Sequence, residues 1–240
     1  MRTGLSGVRM KTIGLIGGMS WVSTAIYYRL INEAVRSRLG GYHSARIALW
    51  SVDFAEIERM QVAGDWEQAG DHLADAAKRL ERAGADMILI CANTMHKVAD
   101  AVACAVRLPL VHIADATAAE VARRKVEHPL LLATGYTMEQ DFYTGRLRSG
   151  HGVDVRVPNA ADHALVHRII FEELVRDIVK PTSKARYIEV VDRARRDGAD
   201  GIIFGCTEIG MLLSPADFDI PCFDTAAIHA TAAAELALAT

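Results

Sequence analysis

The sequence predicts an α/β fold built from two pseudo-symmetric parallel-sheet half-domains with a cleft between them. Three observations predict it. Short β-rich runs alternate with longer segments of helical apolar spacing, the pattern of βαβ units and parallel sheets. One strand pattern occurs twice: Gly84-Ala85-Asp86-Met87-Ile88-Leu89-Ile90-Cys91-Ala92-Asn93-Thr94, and again Gly198-Ala199-Asp200-Gly201-Ile202-Ile203-Phe204-Gly205-Cys206-Thr207-Glu208. Gly84 and Gly198 stand 114 positions apart (198 − 84), and so do Ala92 and Cys206 (206 − 92). A second echo links Leu108-Pro109, Asp115 and an Ala-rich helix to Ile220-Pro221, Asp224 and another Ala-rich helix.

Taken in order, Thr12 to Ile16 reads as a buried strand closed by Gly17-Gly18. Ser20 is placed to cap a helix over Val22 to Arg38, which Gly40-Gly41 ends. Arg46 to Val52 reads as a strand, Phe54 to Gln61 as a short helix, and Trp66 to Ala83 as a helix stopped by Gly84. Met87 to Ala92 is a third strand, His96 to Ala105 a helix, Leu108 to Ile113 a fourth strand, and Ala116 to Lys125 a helix. The second half repeats the order. Strands are expected over Pro129 to Thr134, Val153 to Val157, Gly201 to Gly205 and Ile220 to Phe223. Helices are expected over Met138 to Arg148, Asp162 to Val179, Ser183 to Arg196 and Thr225 to Leu238. The domain reading is an N-terminal extension over 1–10, half-domains over 11–114 and 115–224, and a closing helix over 225–240 that could return to the first half.

Composition narrows the function classes. Half the residues are apolar (51%), enough for a substantial core, and the formal charge of −3 gives no electrostatic case for nucleic acid or an anionic membrane surface. No run of about 18 uncharged apolar residues spans a membrane, and the first nine residues lack the apolar stretch of a signal peptide. The cysteines at 91, 104, 206 and 222 follow no metal-binding spacing, so no metal is expected and a reducing, cytoplasmic setting is the simplest reading. No glycine-rich nucleotide motif is present.

Ligands in such folds bind beyond the carboxyl ends of the strands. That gathers Gly17-Gly18-Met19, Ala92-Asn93-Thr94, Thr134-Gly135 and Cys206-Thr207-Glu208 around one cleft. Cys206 is the main candidate for chemistry: it ends a strand before a helical turn, where backbone N–H groups can stabilise a thiolate. Glu208 nearby works against that, by raising the thiol pKa if it is ionised and close. Ala92, at the matching position, has no exchangeable proton. Cys91 should point to the opposite face and into the core. Asn93 and Thr94, and their counterparts Thr134 and Thr137, could hold a carboxylate or simply cap helices.

Gly17-Gly18-Met19-Ser20-Trp21, Asn93-Thr94-Met95-His96, Thr134-Gly135-Tyr136-Thr137-Met138 and Gly205-Cys206-Thr207-Glu208-Ile209 together resemble the aspartate/glutamate racemase family, nearest to its broad-specificity amino-acid branch. The resemblance runs in register from Lys11 onward. It implies a cofactor-independent amino-acid racemase or epimerase, a homodimer, in which two cysteines face each other across the substrate Cα. Cys206 matches the second cysteine, and Ala92 holds the place of the first. Met19, Gln61, Asn93, Thr94, Thr134, Thr137, Thr207 and Glu208 then become the expected substrate contacts, with the α-carboxylate on Asn93 and the threonines. Members acting on aspartate bind its distal carboxylate with an arginine and a lysine; the matching positions here are Gln61 and one near Val175. Unless Arg46 or Arg168 reaches in, neutral or hydroxylated side chains fit better. Two other readings accompany this one: a one-cysteine lyase of malonate-type acids, and an amino-acid-binding protein that has lost its activity.

Overall fold

The computed structural model describes residues 10–239, and the expected extension lies outside them except for its last residue, Met10. The elements are β1 (Ile13–Gly17), α1 (Trp21–Leu39), β2 (Ile47–Ser51), α2 (Phe54–Ala63), α3 (Trp66–Arg82), β3 (Met87–Ile90), a 3-10 turn (Thr94–Val98), α4 (Ala99–Ala105), α5 (Ile113–Arg123), β4 (Pro129–Ala133), α6 (Gly135–Glu139), α7 (Asp141–His151), α8 (Ala160–Glu172), a 3-10 turn (Leu174–Arg176), α9 (Pro181–Arg196), β5 (Gly201–Gly205), α10 (Ile209–Leu212), a 3-10 turn (Pro215–Asp217), β6 (Cys222–Asp224) and α11 (Thr225–Leu238). They form two three-stranded parallel sheets, β2-β1-β3 and β4-β5-β6. Both faces of each sheet are covered, so β1, β3, β4 and β5 are buried along their whole lengths.

The duplication in the sequence is visible in the backbone. Ile88 N–H donates to Pro109 O at 2.9 Å, and Ile202 N–H donates to Pro221 O at 2.8 Å, the same rung in each half. In the second half this rung leads into β6. In the first, pairing stops at one bridge, Ile88 with Leu110, and the strand expected over Leu108 to Ile113 does not form. The cause is local. His112 accepts a hydrogen bond from Ala114 N–H and caps α5, which starts three residues earlier than expected. The strand expected over Val153 to Val157 is likewise reduced to one bridge, Leu130 with Arg156, just before Pro158.

Three helical segments also differ from expectation. The helix expected over His96 to Ala105 opens as the 3-10 turn Thr94–Val98, and α4 starts only at Ala99. Thr134 caps a helix that begins at Gly135, and extended backbone at Gln140 separates it from α7, so the helix expected over Met138 to Arg148 is two. The helix expected over Asp162 to Val179 ends at Glu172. Asp177 adopts φ 60, and Ile178 and Val179 turn outward, 40% and 47% exposed. The break carries Val175 out of the helical stripe, toward the cleft.

The closing helix α11 lies on the first sheet. Its alanines 226, 230, 233 and 237 share one buried cluster with Ile13, Leu15, Tyr27 and Ile31. Small side chains let the helix backbone approach α1 and the sheet closely. Among the described residues no helix is long and apolar enough to cross a membrane.

Candidate active site

The carboxyl ends of β1, β3, β4 and β5 converge on one cavity. Met19 follows β1; Ala92, Asn93, Thr94 and Met95 follow β3; Thr134 follows β4; Gly205, Cys206, Thr207 and Glu208 end and follow β5. The other wall is apolar apart from one amide: Phe54 and Gln61 come from α2, Ile170 and Phe171 from α8, and Val175 from the turn after it. Of the expected contacts, Thr137 alone is not in the wall. The space measures about 40 Å³, room for roughly three water molecules.

Cys206 and Glu208 are the titratable side chains in this wall. Both belong to the β5 end and both are buried, 8% and 3% exposed. Glu208 accepts three hydrogen bonds. Cys206 Sγ donates to Oε2 at 3.0 Å, Thr207 Oγ1 to Oε2 at 2.6 Å, and Ser20 Oγ to Oε1 at 2.6 Å. Burial pushes the Cys206 thiol well above the ordinary cysteine range, and Glu208 raises it further. Backbone N–H groups of Glu208 and Ile209 pull the other way without offsetting this. The resting side chain is therefore a thiol bonded to a carboxylate.

Ala92, 7% exposed, lines the same cavity and offers only a methyl group. Its carbonyl is fixed from behind: His96 Nδ1 lies 2.8 Å from Ala92 O, while His96 Nε2 accepts from Ile113 N–H. That pair of bonds sets the neutral tautomer with the proton on Nδ1. Cys91 is fully buried in the core of the first sheet, and burial raises its thiol far above the ordinary range.

Three hydroxyls make a triangle across the halves. Thr94 Oγ1 lies 2.8 Å from Thr134 Oγ1 and 3.2 Å from Thr137 Oγ1, and the last two are 3.1 Å apart. Thr134 and Thr94 face the cavity, and Thr137 stands behind them. Asn93 is more constrained. Thr225 donates its hydroxyl proton to Phe204 O at 2.7 Å, so it accepts from Asn93 Nδ2 at 3.0 Å. This fixes which end of the amide is which and leaves Asn93 Oδ1 a buried acceptor with no partner. A buried acceptor of this kind signals a missing donor.

Gln61 and Val175 both line the cavity, and neither is cationic. Arg46 and Arg168 are exposed and outside the wall. Among the described residues no group of three or more His, Cys, Asp or Glu side chains is placed to hold a metal ion. Sequence reasoning singled out Ser20 only as a helix cap, and missed Phe54, Met95, Ile170 and Phe171 as wall. Ser20 and Met95 fall inside the quoted motifs; the others are spaced like ordinary core residues.

A family model described as Asp/Glu/Hydantoin racemase matches residues 16–233. A Yersinia pestis crystal structure, described as a candidate Asp/Glu racemase, is 53% identical, with a TM-score of 0.89 over 96% of this chain and 100% of that one. An aspartate racemase homologue from Pyrococcus horikoshii is 38% identical, with a TM-score of 0.83 over 95% and 99% of the two chains. The broad specificity amino-acid racemase RacX of Bacillus subtilis is 22% identical over 170 residues, 68% of this chain and 70% of that one.

Proposed function

Because the chain belongs to the Asp/Glu/hydantoin racemase family, we propose that it moves the α-proton of an amino acid from one face only, with Cys206 as the acid/base. The family and fold support an amino-acid racemase or epimerase. One observation carries the finer reading: the titratable groups in the cavity wall, Cys206 and Glu208, both sit at the β5 end, while Ala92, at the matching end of β3, offers none.

The α-ammonium of the substrate pairs with the negative charge of Glu208 and donates to Asn93 Oδ1. The α-carboxylate rests on the hydroxyls of Thr94 and Thr134, oriented by Thr137, with Thr207 and the Asn93 Nδ2 that faces Thr225 completing the polar frame. Met19 packs over the substrate at the β1 end. The arriving ammonium compensates the one negative charge that Cys206 and Glu208 share, whichever of them carries it. The Cys206 proton then passes to Glu208 Oε2 along the 3.0 Å hydrogen bond, giving a thiolate and a neutral carboxyl group. The thiolate takes the Cα proton, and the electron pair spreads into the carboxylate, where the hydroxyl donors stabilise it. Returning the proton from Cys206 restores the starting enantiomer. Inversion needs a proton on the Ala92 face, which water must supply. Exchange with solvent is then faster than inversion. No cofactor enters these steps.

A cavity of about 40 Å³ admits an amino acid only when the halves part, which breaks the Ser20–Glu208 and Thr94–Thr134 bonds. Closing remakes them around the substrate. A malonate lyase fits the single thiol but not the charges: two substrate carboxylates would meet Glu208 with no cation in the wall.

The test is proton NMR in heavy water with single L- and D-amino acids, beside a Cys206→Ala control. Loss of the α-proton signal that the control abolishes supports the reading. Exchange that persists in the control overturns it, and ligand-dependent melting with no exchange would mark a binding protein instead.

A further inference from the structure

Apart from the polar strand ends, the cavity wall holds one polar side chain, Gln61, among apolar ones. We propose that Gln61 reads the substrate side chain and selects an uncharged amide, the asparagine or glutamine class, against aspartate and glutamate. This rests on the Cα-proton reading of the same cavity.

Two independent features support it. The first is charge. Glu208 is the single charged group in the wall. It is matched by the substrate ammonium, and the α-carboxylate is held by neutral donors. A side-chain carboxylate would add a second buried negative charge with no partner, a costly arrangement. Neutral side chains avoid it.

The second feature is the state of Gln61. It is 4% exposed and lies seven residues from Phe54 on the same face of α2. Its amide nitrogen donates to Met95 Sδ at 3.1 Å. A thioether is a weak acceptor, so this buried amide keeps only a poor bond. A substrate carbonyl would replace that sulfur with a full-strength acceptor. An amide side chain also returns a donor to Gln61 Oε1, so the two planar groups can pair through both ends. A hydroxyl satisfies one end, and the thioether of methionine does no better than Met95 already does. Phe54, Ile170, Phe171 and Val175 surround the methylene stem and keep water from competing for these bonds. A site built to hydrogen-bond a substrate group discriminates strongly against analogues that lack it.

The experiment compares asparagine, glutamine, homoserine, methionine, aspartate and glutamate, each as both enantiomers. Solvent exchange and calorimetric binding are read separately, on the wild type, Gln61→Met and Gln61→Arg. The expected result is an amide preferred over its acid at least tenfold in both readouts. Gln61→Met should lower the ratio of amide to methionine binding about tenfold, and Gln61→Arg should move preference toward the acids. A wild-type preference for aspartate or glutamate overturns the proposal, as does an amide-to-methionine ratio unmoved by Gln61→Met. Selective amide binding without any exchange supports the Gln61 assignment while overturning the catalytic reading. Failure of all six amino acids to bind overturns both.

Discussion

Ser20 Oγ donates a 2.6 Å hydrogen bond to Glu208 Oε1 across 188 positions of the chain, from the start of α1 to the end of β5. It joins the two halves at the carboxylate that also receives the Cys206 thiol. Ser20→Ala removes this bond and the side-chain cap on Ser23 N–H. Charged hydrogen bonds and N-caps are each worth about 1–2 kcal/mol. Urea unfolding should show a loss of about 2–4 kcal/mol, and α-proton exchange should fall about tenfold. An unchanged exchange rate would separate the latch from the chemistry.

Glu208→Gln keeps the shape of the site and removes its base. Exchange should fall by a factor of about 10² to 10⁴, the usual contribution of a positioned general base. The Cys206 thiol should become more acidic, because one of the two causes of its raised pKa is gone. Thiolate absorbance followed against pH, with Cys206→Ala subtracted, measures this second effect directly.

Ala92→Cys places a thiol on the silent face. In reducing buffer, chiral analysis should show net inversion rising toward the exchange rate, by about tenfold or more, since proton return becomes possible from both sides. Overpacking at a site only 7% exposed should cost about 1–3 kcal/mol. Improved exchange with no gain in inversion would contradict the opposed-face geometry.

Asn93→Ala deletes the unpartnered acceptor. Calorimetry with an amino acid and with its des-amino analogue should show the first weakened about tenfold, the value of a hydrogen bond to a charged donor, and the second much less. Equal weakening of both would assign Asn93 to the carboxylate instead.

Three buried imidazoles make the protein acid-sensitive. His96 lies 4.5 Å from His112 and 5.7 Å from His229, ring centre to ring centre. Burial holds His112 and His229 down to about 4, and burial with the two neighbouring rings pushes His96 well below its ordinary value. Their unfolded values lie near 6.5. Between about pH 4 and 6.5 the unfolded chain therefore binds more protons, and stability rises with pH through that window. The loss on acidification is on the order of 3 kcal/mol each for His112 and His229. Asp115, held far below the carboxylate range by its hydrogen bond from Arg146, adds slope of the same sign only toward the acid end of the window, where the unfolded carboxyl, at about 3.9, begins to protonate. Urea midpoints at pH 7, 5.5 and 4.5 should fall in that order; a flat profile would refute the cluster's role.

The sequence by itself determined the alternation of strands and helices, the internal duplication and the strand ends that make the site. These rest on local causes: apolar period, Gly turns and capping residues such as Ser20, Thr134 and Asp224 act within a few positions. It also placed Cys206 and Ala92 at matching positions of the repeat. Tertiary structure decided what depends on a distant partner. Leu108 to Ile113 and Val153 to Val157 have strand composition, yet each finds one bridging rung before a cap or a proline intervenes. The apolar period after Glu172 continues in sequence, but the chain turns there and sends Val175 to the cavity. Only the folded contacts show that Glu208 gathers three donors from two halves, that Thr225 leaves Asn93 Oδ1 free, and that no cation enters the wall. Pairing, burial and hydrogen-bond satisfaction are settled between residues far apart in the chain, where local pattern carries no information.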